Sequence, residues 1–146
     1  MDDIEAIRQL KARYFRLMDT KDWAGMRTVF APDVHIDMEA EGGGVHDDVE
    51  SFFTMLEAAL AGVVTVHHGH MPEIQLTSAT TATGIWAMED MLWFSDATNS
   101  PVPGGGHMHG YGHYHETYTK LDGDWKIQSL RLARLRVDFF PAPPAG

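Results

Sequence analysis

Residues 111–137 read YGHYHETYTKLDGDWKIQSLRLARLRV, and this stretch decides the fold class. Two strand-like runs, residues 111–121 and 125–137, flank an Asp-Gly-Asp turn at residues 122–124. An Asp-Gly pair tolerates the positive φ angles that a tight hairpin turn requires. The stretch therefore predicts two long antiparallel strands that are joined directly.

Further strands are predicted before this hairpin. Residues 80–94 form a long apolar run that contains two tryptophans, and residues 63–68 and 74–76 form shorter runs. Residues 99–106 contain two prolines and three consecutive glycines, a composition typical of a loop. The second half of the chain is therefore predicted to consist of four or five strands and their turns.

The N-terminal half carries the helical pattern. Apolar residues recur at three- and four-residue steps up to Asp19, which predicts an amphipathic first helix. A second, shorter helix is predicted to end at Pro32, since proline cannot supply the next amide hydrogen. Residues 34–38 alternate as in a half-buried strand, and Asp47 or Asp48 can cap a third helix.

This order of elements predicts the architecture. Helices collected at one end and hairpins at the other favour an α+β domain. We expect a cone-shaped, curved antiparallel sheet packed against three helices and enclosing a pocket. Residues 1–140 are expected to form a single domain, followed by a proline-rich tail at 141–146.

Composition narrows the possible partners. The chain has 146 residues, with 21 acidic and 11 basic side chains and a net charge of −10, so nucleic acid and anionic membranes are poor partners. The absence of cysteine excludes disulfides and thiolate nucleophiles. No apolar run is long enough to cross a bilayer, and the acidic first residues do not form a signal peptide. We therefore expect a cytoplasmic protein that acts on a small molecule.

Two groups of residues suggest an acid–base site. Asp19 stands at the end of the first predicted helix, five positions after Tyr14. His67 and His68 lie in a predicted strand, where neighbours point to opposite faces, so only one can face the interior. A buried imidazole is a suitable general base, and Asp19 is the carboxylate that can orient it. The simpler interpretation is a core tyrosine, a turn-capping aspartate and surface histidines.

Charged residues within the long apolar runs form a further group. Glu89 and Asp90 are adjacent, so strand alternation directs one of them towards an apolar interior. A carboxylate there is costly unless it is hydrogen-bonded or functional. On the last strand, one of Arg131, Arg134 and Arg136 can reach a pocket and stabilise a developing oxyanion, although most strand arginines are solvated.

The stretch HMHGYGHYH at residues 107–115 places four histidines at alternate positions. Histidines two residues apart can bind zinc or copper. Glycines interrupt this run and the chain has no H-E-x-x-H motif, so a polar pocket rim is favoured over a metal site. We expect His113 to contact substrate and predict no metal ligand.

Several motifs together resemble the SnoaL-like branch of the nuclear-transport-factor-2-like superfamily. They are DIEAIRQLKARYFRLMD from Asp3, a tryptophan at position 23, HHGHMPEI from His67, TTATGIWAMED from Thr80 and LDGDWKI from Leu121. The resemblance covers residues 3–140 and is closest to bile-acid dehydratases. Scytalone dehydratase and hexachlorocyclohexane dehydrochlorinase are more distantly similar.

The resemblance implies five catalytic positions. Asp19 and His67 correspond to the Asp–His pair of the family. Tyr14, Asp90 and Arg134 correspond to a pocket tyrosine, aspartate and arginine of the bile-acid dehydratases. The chain departs from scytalone dehydratase, which has a second histidine at the position of Asp90, and from the dehydrochlorinase, which has a lysine at that of Tyr14.

The expected activity is that of a cofactor-independent lyase. It would carry out a dehydratase-type β-elimination on a hydroxylated cyclic, aromatic, polyketide or steroid-like small molecule, with the Asp–His pair providing the base. Trp23, Phe30, Met38 and Trp86 are expected to supply apolar walls for a ring-shaped substrate. The resemblance also implies a homotrimer.

Four alternatives remain open at the level of sequence. Another lyase could use the same Asp–His pair to release halide or to cleave a carbon–carbon bond with release of an aldehyde. A ketone isomerase would use Asp90 as its base. A module could bind a hydrophobic ligand without chemistry, since a fold does not determine a function. A histidine-rich metal enzyme is the fourth.

Overall fold

The computed structural model describes residues 1–95, 100–102 and 104–143 of the chain. Its elements are, in order, helix α1 (Asp3–Asp19), helix α2 (Trp23–Arg27), strand β1 (Phe30–Asp37), a 3₁₀ turn (Glu39–Glu41), strand β2 (Val45–His46), helix α3 (Val49–Leu60), and strands β3 (Val64–Leu76), β4 (Thr81–Phe94), β5 (Gly106–Leu121) and β6 (Asp124–Phe140). The predicted α+β class is confirmed.

Two predicted segments fall only partly within this description. Asn99 and Pro103 of the predicted loop lie outside the described residues, as do residues 144–146 of the tail. Within the described part of the chain, no helix combines the length and the apolar character needed to cross a membrane.

The six strands form one sheet in the order β2-β1-β6-β5-β4-β3. Four neighbouring pairs are antiparallel, but β1 runs parallel to β6, with Ile36 beside Leu130. The expectation of an antiparallel sheet is therefore wrong for this pair, and the sheet is mixed. No hairpin joins β1 to β6, so their relative direction is determined by packing between distant segments, which local sequence patterns do not report.

The predicted hairpin is confirmed between β5 and β6. Asp122 and Gly123 take up positive φ angles of 50° and 86°, as the Asp-Gly turn requires. The runs at residues 63–68 and 74–76 are not separate strands. They belong to the single strand β3, whose pairing with β4 is interrupted between His70 and Glu73.

Aspartates cap helices α1 and α3, and Asp48 is one of the two residues expected to cap the third helix. Asp2 and Asp48 cap α1 and α3 by accepting hydrogen bonds from backbone amides three residues later. Helix α2 ends at Arg27 and not at Pro32, because Phe30 and Pro32 already belong to β1. A proline is tolerated there because β2 pairs only with Ile36 and Asp37, so residue 32 has no partner strand on that side.

The core on the inner face of the sheet contains a buried ion pair. Helix α1 packs against β3 and directs Lys11 towards Glu116 of β5, and the two residues are only 0% and 3% exposed. The ammonium group lies 3.7 Å from the ring centre of Tyr14 and 3.6 Å from that of Tyr114. Glu116 also accepts a hydrogen bond of 2.6 Å from the hydroxyl of Tyr118. Each charge is therefore compensated by the other and by aromatic neighbours.

We predict that breaking this pair destabilises the fold. Lys11→Met leaves the Glu116 carboxylate buried without its cation and should lower the free energy of unfolding by about 3–5 kcal/mol in urea denaturation. The double variant Lys11→Met/Glu116→Gln removes both charges and should recover much of that loss.

Lys120→Met is the matched control. Lys120 pairs with Asp3 at 3.0 Å, but both side chains are about one third exposed, so this change should cost no more than about 1 kcal/mol. Equal losses of unfolding free energy for Lys11→Met and Lys120→Met would show that the buried pair contributes no more to stability than the partly exposed pair.

Candidate active site

A cavity of about 290 Å³ lies between helices α1 and α3 and the inner face of the sheet. Its wall is mainly apolar and includes Met18, Met38, Phe52, Met55, Leu56, Leu92 and Met108. The polar side chains in the wall are Tyr14, Glu41, His67, Asp90, Tyr114 and Arg134. An apolar enclosure with a few convergent polar groups is the usual form of a small-molecule site.

His67 faces this cavity, and His68 does not. Alternation along β3 buries His67 and leaves His68 exposed on the other face of the sheet. The Nδ1 atom of His67 lies 2.6 Å from Oδ1 of Asp19, the last residue of α1. The ring also lies parallel to that of Phe15, with a distance of 6.1 Å between ring centres. The histidine that sequence alternation left undecided is therefore His67.

Asp19 binds β3 at three points. Its carboxylate accepts hydrogen bonds from the His67 ring, from the backbone N–H of His67 at 2.9 Å and from the Thr65 hydroxyl at 2.9 Å. Partial burial disfavours the charged form, but the hydrogen bonds from His67 and Thr65 outweigh it and hold the pKa of Asp19 below its usual range. Asp19 is thus an ionised acceptor, and it orients the imidazole so that Nε2 is the nitrogen without a fixed partner.

Asp90 and Arg134 form a second polar pair in the cavity wall. Asp90 on β4 lies opposite His67 on β3 in the strand register, and its Oδ2 is 3.9 Å from Nε2 of His67. The guanidinium of Arg134 donates to both oxygens of Asp90, at 2.6 and 2.7 Å. Arg134 also donates to Glu41 at the entrance of the cavity. This bidentate geometry fixes the planes of both groups.

Burial raises the pKa of Asp90 to about 6. The two hydrogen bonds from Arg134 favour the ionised form, so near neutral pH we expect a carboxylate paired with a guanidinium. The cavity therefore holds a fixed ion pair beside the free nitrogen of His67.

Gly110 makes the pairing of Asp90 and Arg134 possible. Strand β5 runs between β4 and β6, with Gly110 opposite Asp90 and Gly112 opposite Arg134, and the Arg134 guanidinium meets the Asp90 carboxylate over Gly110. A Cβ atom at position 110 would overlap both the Arg134 guanidinium and the Asp90 carboxylate. The ion pair thus crosses over β5 at a residue that has no side chain.

Tyr14 contributes a hydroxyl to the same wall. It is fully buried, and burial raises the pKa of Tyr14 well above its usual value, so it remains a protonated hydrogen-bond donor. Its ring packs edge-on against that of Tyr114 on β5, with 5.9 Å between ring centres. Tyr14 and Asp19 lie on different sides of helix α1, which ends at Asp19. Tyr14 lines the cavity directly, whereas Asp19 acts on it through its contact with His67.

Of the five residues expected to bind substrate, only Met38 lines the cavity. Trp23 packs against Phe53 behind helix α3, and Phe30 packs among Tyr14, Phe52 and Phe53. The indole N–H of Trp86 donates to Tyr118 at 2.9 Å in the core. These three residues stabilise the fold, which corrects the expectation that they form walls for a ligand.

The histidines of the histidine-rich stretch do not line the cavity. Residues 107–115 lie within β5, where the even positions Met108 and Tyr114 reach the cavity. His113 sits at an odd position, beside Ala87 of β4, on the opposite face of the sheet. The expectation that His113 contacts substrate in this cavity is therefore wrong, because strand alternation points it away.

Sequence reasoning missed several residues of the site, among them Tyr114, Thr65, Gly110 and Glu41. Thr65 could have been found, since it lies two positions before His67 and shares its strand face. The signal for Gly110 is weak. A glycine between bulky strand residues indicates that another group approaches the backbone closely, but it does not show which group. Glu41 sits in a short 3₁₀ turn, and nothing local predicts its contact with Arg134.

Comparison with known proteins places the chain in a family. The model of the SnoaL-like domain matches residues 1–131. This chain belongs to the SnoaL-like domain family. The predicted membership of the SnoaL-like family is thus confirmed over most of the length of the chain.

Relatives and solved structures are consistent with that assignment. The chain is 28% identical over 138 residues to the protein named "Probable cyclase FGR4" of Gibberella zeae, covering 88% of this chain and 89% of that protein. A structure from Novosphingobium aromaticivorans named "Putative Scytalone Dehydratase" superposes with a TM-score of 0.80 at 18% identity, over 97% of this chain and 89% of the other. The hexachlorocyclohexane dehydrochlorinase LinA type 2 gives a TM-score of 0.80 at 19% identity, over 96% and 93%. These structures share the fold.

We predict that Gly110→Ala disrupts the Asp90–Arg134 pair. The added methyl group has no room and should lower the free energy of unfolding by about 1–3 kcal/mol. Removing the arginine as well relieves the overlap with the guanidinium and leaves only that with the Asp90 carboxylate, so the two changes should not be additive. A double-mutant cycle with Arg134→Ala, followed by urea denaturation, should show a coupling of about 0.5–3 kcal/mol. Strict additivity, or a crystal structure of Gly110→Ala with both hydrogen bonds to Asp90 intact, would contradict the assignment.

Proposed function

We propose that this protein is a cofactor-independent lyase that removes water from a hydroxylated cyclic small molecule by β-elimination. The observation that carries the proposal is the 2.6 Å contact between Asp19 and Nδ1 of His67, which leaves Nε2 directed to the cavity. When Nδ1–H donates to a carboxylate, the lone pair of a neutral imidazole resides on Nε2. The unprotonated Nε2 of His67 is then the base that faces a molecule bound in the cavity.

The first step is the transfer of a proton from carbon to His67. Nε2 takes the proton from a carbon next to a carbonyl or a comparable activating group, and the C–H electron pair passes into the activated system. Asp19 stabilises the resulting imidazolium, as the carboxylate does in hydrolase triads. The oxyanion that develops on the activating group is stabilised by a donor of the wall, either the Tyr14 hydroxyl or the Arg134 guanidinium.

The second step releases water. The new carbon–carbon double bond forms as the C–O bond breaks, and the departing hydroxyl takes the proton from Nε2 of His67. This returns the imidazole to its neutral form, and the products are an alkene and one water. His67 is favoured over Asp90 as the proton donor, because Asp90 is paired with Arg134 and is expected to be ionised near neutral pH.

The size and chemistry of the cavity indicate the substrate class. About 290 Å³ is near the lower end of ligand pockets, which span roughly 300–1,000 Å³. The wall combines methionine, leucine and phenylalanine side chains with a tyrosine hydroxyl and an arginine. These features favour a small cyclic molecule that carries an oxygen near its reacting carbon.

The relatives support a catalytic role but differ in their named reactions. One is named a cyclase, and the solved structures of the same fold include a scytalone dehydratase by name and a dehydrochlorinase. Abstraction of a proton by the same base would also start the loss of halide. A ketone isomerase that used Asp90 as its base is disfavoured, because Arg134 occupies both oxygens of that carboxylate.

A substrate panel tests the proposed class of reaction. Hydroxylated and halogenated ketones and phenols with one to three rings are incubated with the metal-free protein and analysed by mass spectrometry. A product lighter by 18 mass units, the mass of one water, identifies dehydration, and the appearance of halide ion identifies the related elimination. An intact compound that raises the melting temperature without turnover would instead indicate a binding module.

We predict that His67→Ala and Asp19→Asn each lower kcat by about 10²- to 10⁴-fold on the substrate so identified. His67→Ala removes the base. Asp19→Asn removes the charge that orients the ring and stabilises the imidazolium. Steady-state kinetics should show KM changing much less than kcat, since neither residue supplies the apolar wall.

His115→Ala is the matched control. His115 lies on β5 on the opposite face of the sheet, so its removal should leave kcat within about twofold of the unchanged protein. Circular dichroism and the melting temperature establish that each variant is folded. Folded His67→Ala that retains most of the turnover would exclude the proposed mechanism.

A further inference from the structure

The outer face of the sheet, opposite the cavity, carries a second group of histidines around a carboxylate. His68 and His70 project from β3, Glu89 from β4 and His109 from β5. Strand alternation places them there, since their neighbours His67 and Asp90 face the cavity. None of the four contributes to the proposed reaction.

The four side chains converge on Glu89. One carboxylate oxygen, Oε1, lies 3.5 Å from Nδ1 of His68 and 3.4 Å from Nε2 of His70. The other oxygen, Oε2, lies 3.0 Å from Nε2 of His109. In the described part of the chain, the ligand atoms of His68, His70 and Glu89 all lie within 4.8 Å of one another.

We propose that these residues form a binding site for a divalent transition metal ion such as Zn²⁺. Imidazole nitrogens and a carboxylate oxygen are the ligands that such ions prefer, whereas Mg²⁺ and Ca²⁺ prefer oxygen alone. Tetrahedral bonds of about 2.0–2.1 Å place neighbouring ligand atoms about 3.3–3.4 Å apart. The separations between Glu89 Oε1 and the two histidine nitrogens of β3 are already close to this spacing.

The surroundings suit a surface site that a metal can enter. The side chains of His68 and His70 are each 53% exposed, so both can rotate onto an ion from solvent. His109 is more fixed, because its ring stacks on that of Tyr111 with 4.5 Å between ring centres. The nearby cation Arg136 is engaged by Asp138 at 2.8 Å and does not compete for Glu89.

The pattern differs from an ordinary histidine–carboxylate contact on the surface. His35 and Asp47 also form such a pair, with 2.5 Å between Nδ1 and Oδ1, and there a single histidine meets a single acid. At Glu89, histidines from two strands that flank β4 approach the same carboxylate from both sides. The two imidazoles of β3 and the Glu89 carboxylate supply three ligands of the types that a transition metal prefers, while His109 holds the other oxygen of the carboxylate.

Calorimetric titration of the untagged, chelator-treated protein with ZnCl₂ tests the proposal. One ion per chain should bind, and MgCl₂ at the same concentration should produce no comparable heat. His68→Ala/His70→Ala should weaken Zn²⁺ binding by at least about tenfold, and so should Glu89→Gln. Co²⁺ bound to the unchanged protein should show the strong visible absorption of a tetrahedral site, and this band should be lost in both variants.

His115→Ala again provides the control, because His115 lies on the same strand and face as His109 but outside the group around Glu89. Its Zn²⁺ affinity should equal that of the unchanged protein. The absence of a one-to-one Zn²⁺ site in the unchanged protein would overturn the proposal, as would equal affinity in His68→Ala/His70→Ala. Because binding is measured without a substrate, neither result depends on the proposed lyase activity.

Discussion

The carboxylate of Asp19 joins the end of the first helix to the strand that carries His67. It accepts hydrogen bonds from the ring and the backbone amide of His67 and from the hydroxyl of Thr65, so the helix end, the strand and the imidazole are held in one geometry. An ionised acceptor in a half-buried position is stable only because donors surround it. The same three bonds that satisfy the charge therefore also aim Nε2 of His67 into the cavity.

Each charged side chain in or near the cavity lies against a specific partner. Asp19 is hydrogen-bonded to the ring of His67, Arg134 donates to Asp90 over Gly110, and Lys11 forms an ion pair with Glu116 in the core. The 3.9 Å between Nε2 of His67 and Oδ2 of Asp90 is too long for a direct hydrogen bond, so the imidazole is not drawn into the neighbouring ion pair. Nε2 of His67 is therefore left without a hydrogen-bond partner among the described residues, in a mainly apolar cavity, as the proposed proton transfer from carbon requires.

Most of the fold and part of this site could be predicted from the sequence, and the reasons differ between the two. Helix caps, the Asp-Gly turn and strand alternation are local, so they predicted the β5–β6 hairpin and most of the elements, although not the end of α2 or the continuity of β3. The parallel pairing of β1 with β6 depends on distant packing and was not predictable locally. The sequence pattern offered Tyr14, Asp90 and Arg134 as candidates, and the resemblance to a family selected them. His113 was misassigned because it takes the outer face of the sheet, whereas Trp86 shares the inner face with Asp90 but lies four residues away along β4, where it donates to Tyr118 in the core.

Alternation along two neighbouring strands also explains why histidine–carboxylate groups occur on both faces of one sheet. His67 and His68 are consecutive on β3, as are Glu89 and Asp90 on β4, and the register pairs His67 with Asp90 and His68 with Glu89. The same residue types therefore meet twice, once in the wall of a mainly apolar cavity and once on the outer face of the sheet. Inside, burial penalises charge, and fixed donors or acceptors surround each charged group, which suits the proposed proton transfer. Outside, exposed imidazoles can rotate freely and converge on a shared ion, so burial rather than residue type separates the two proposed roles.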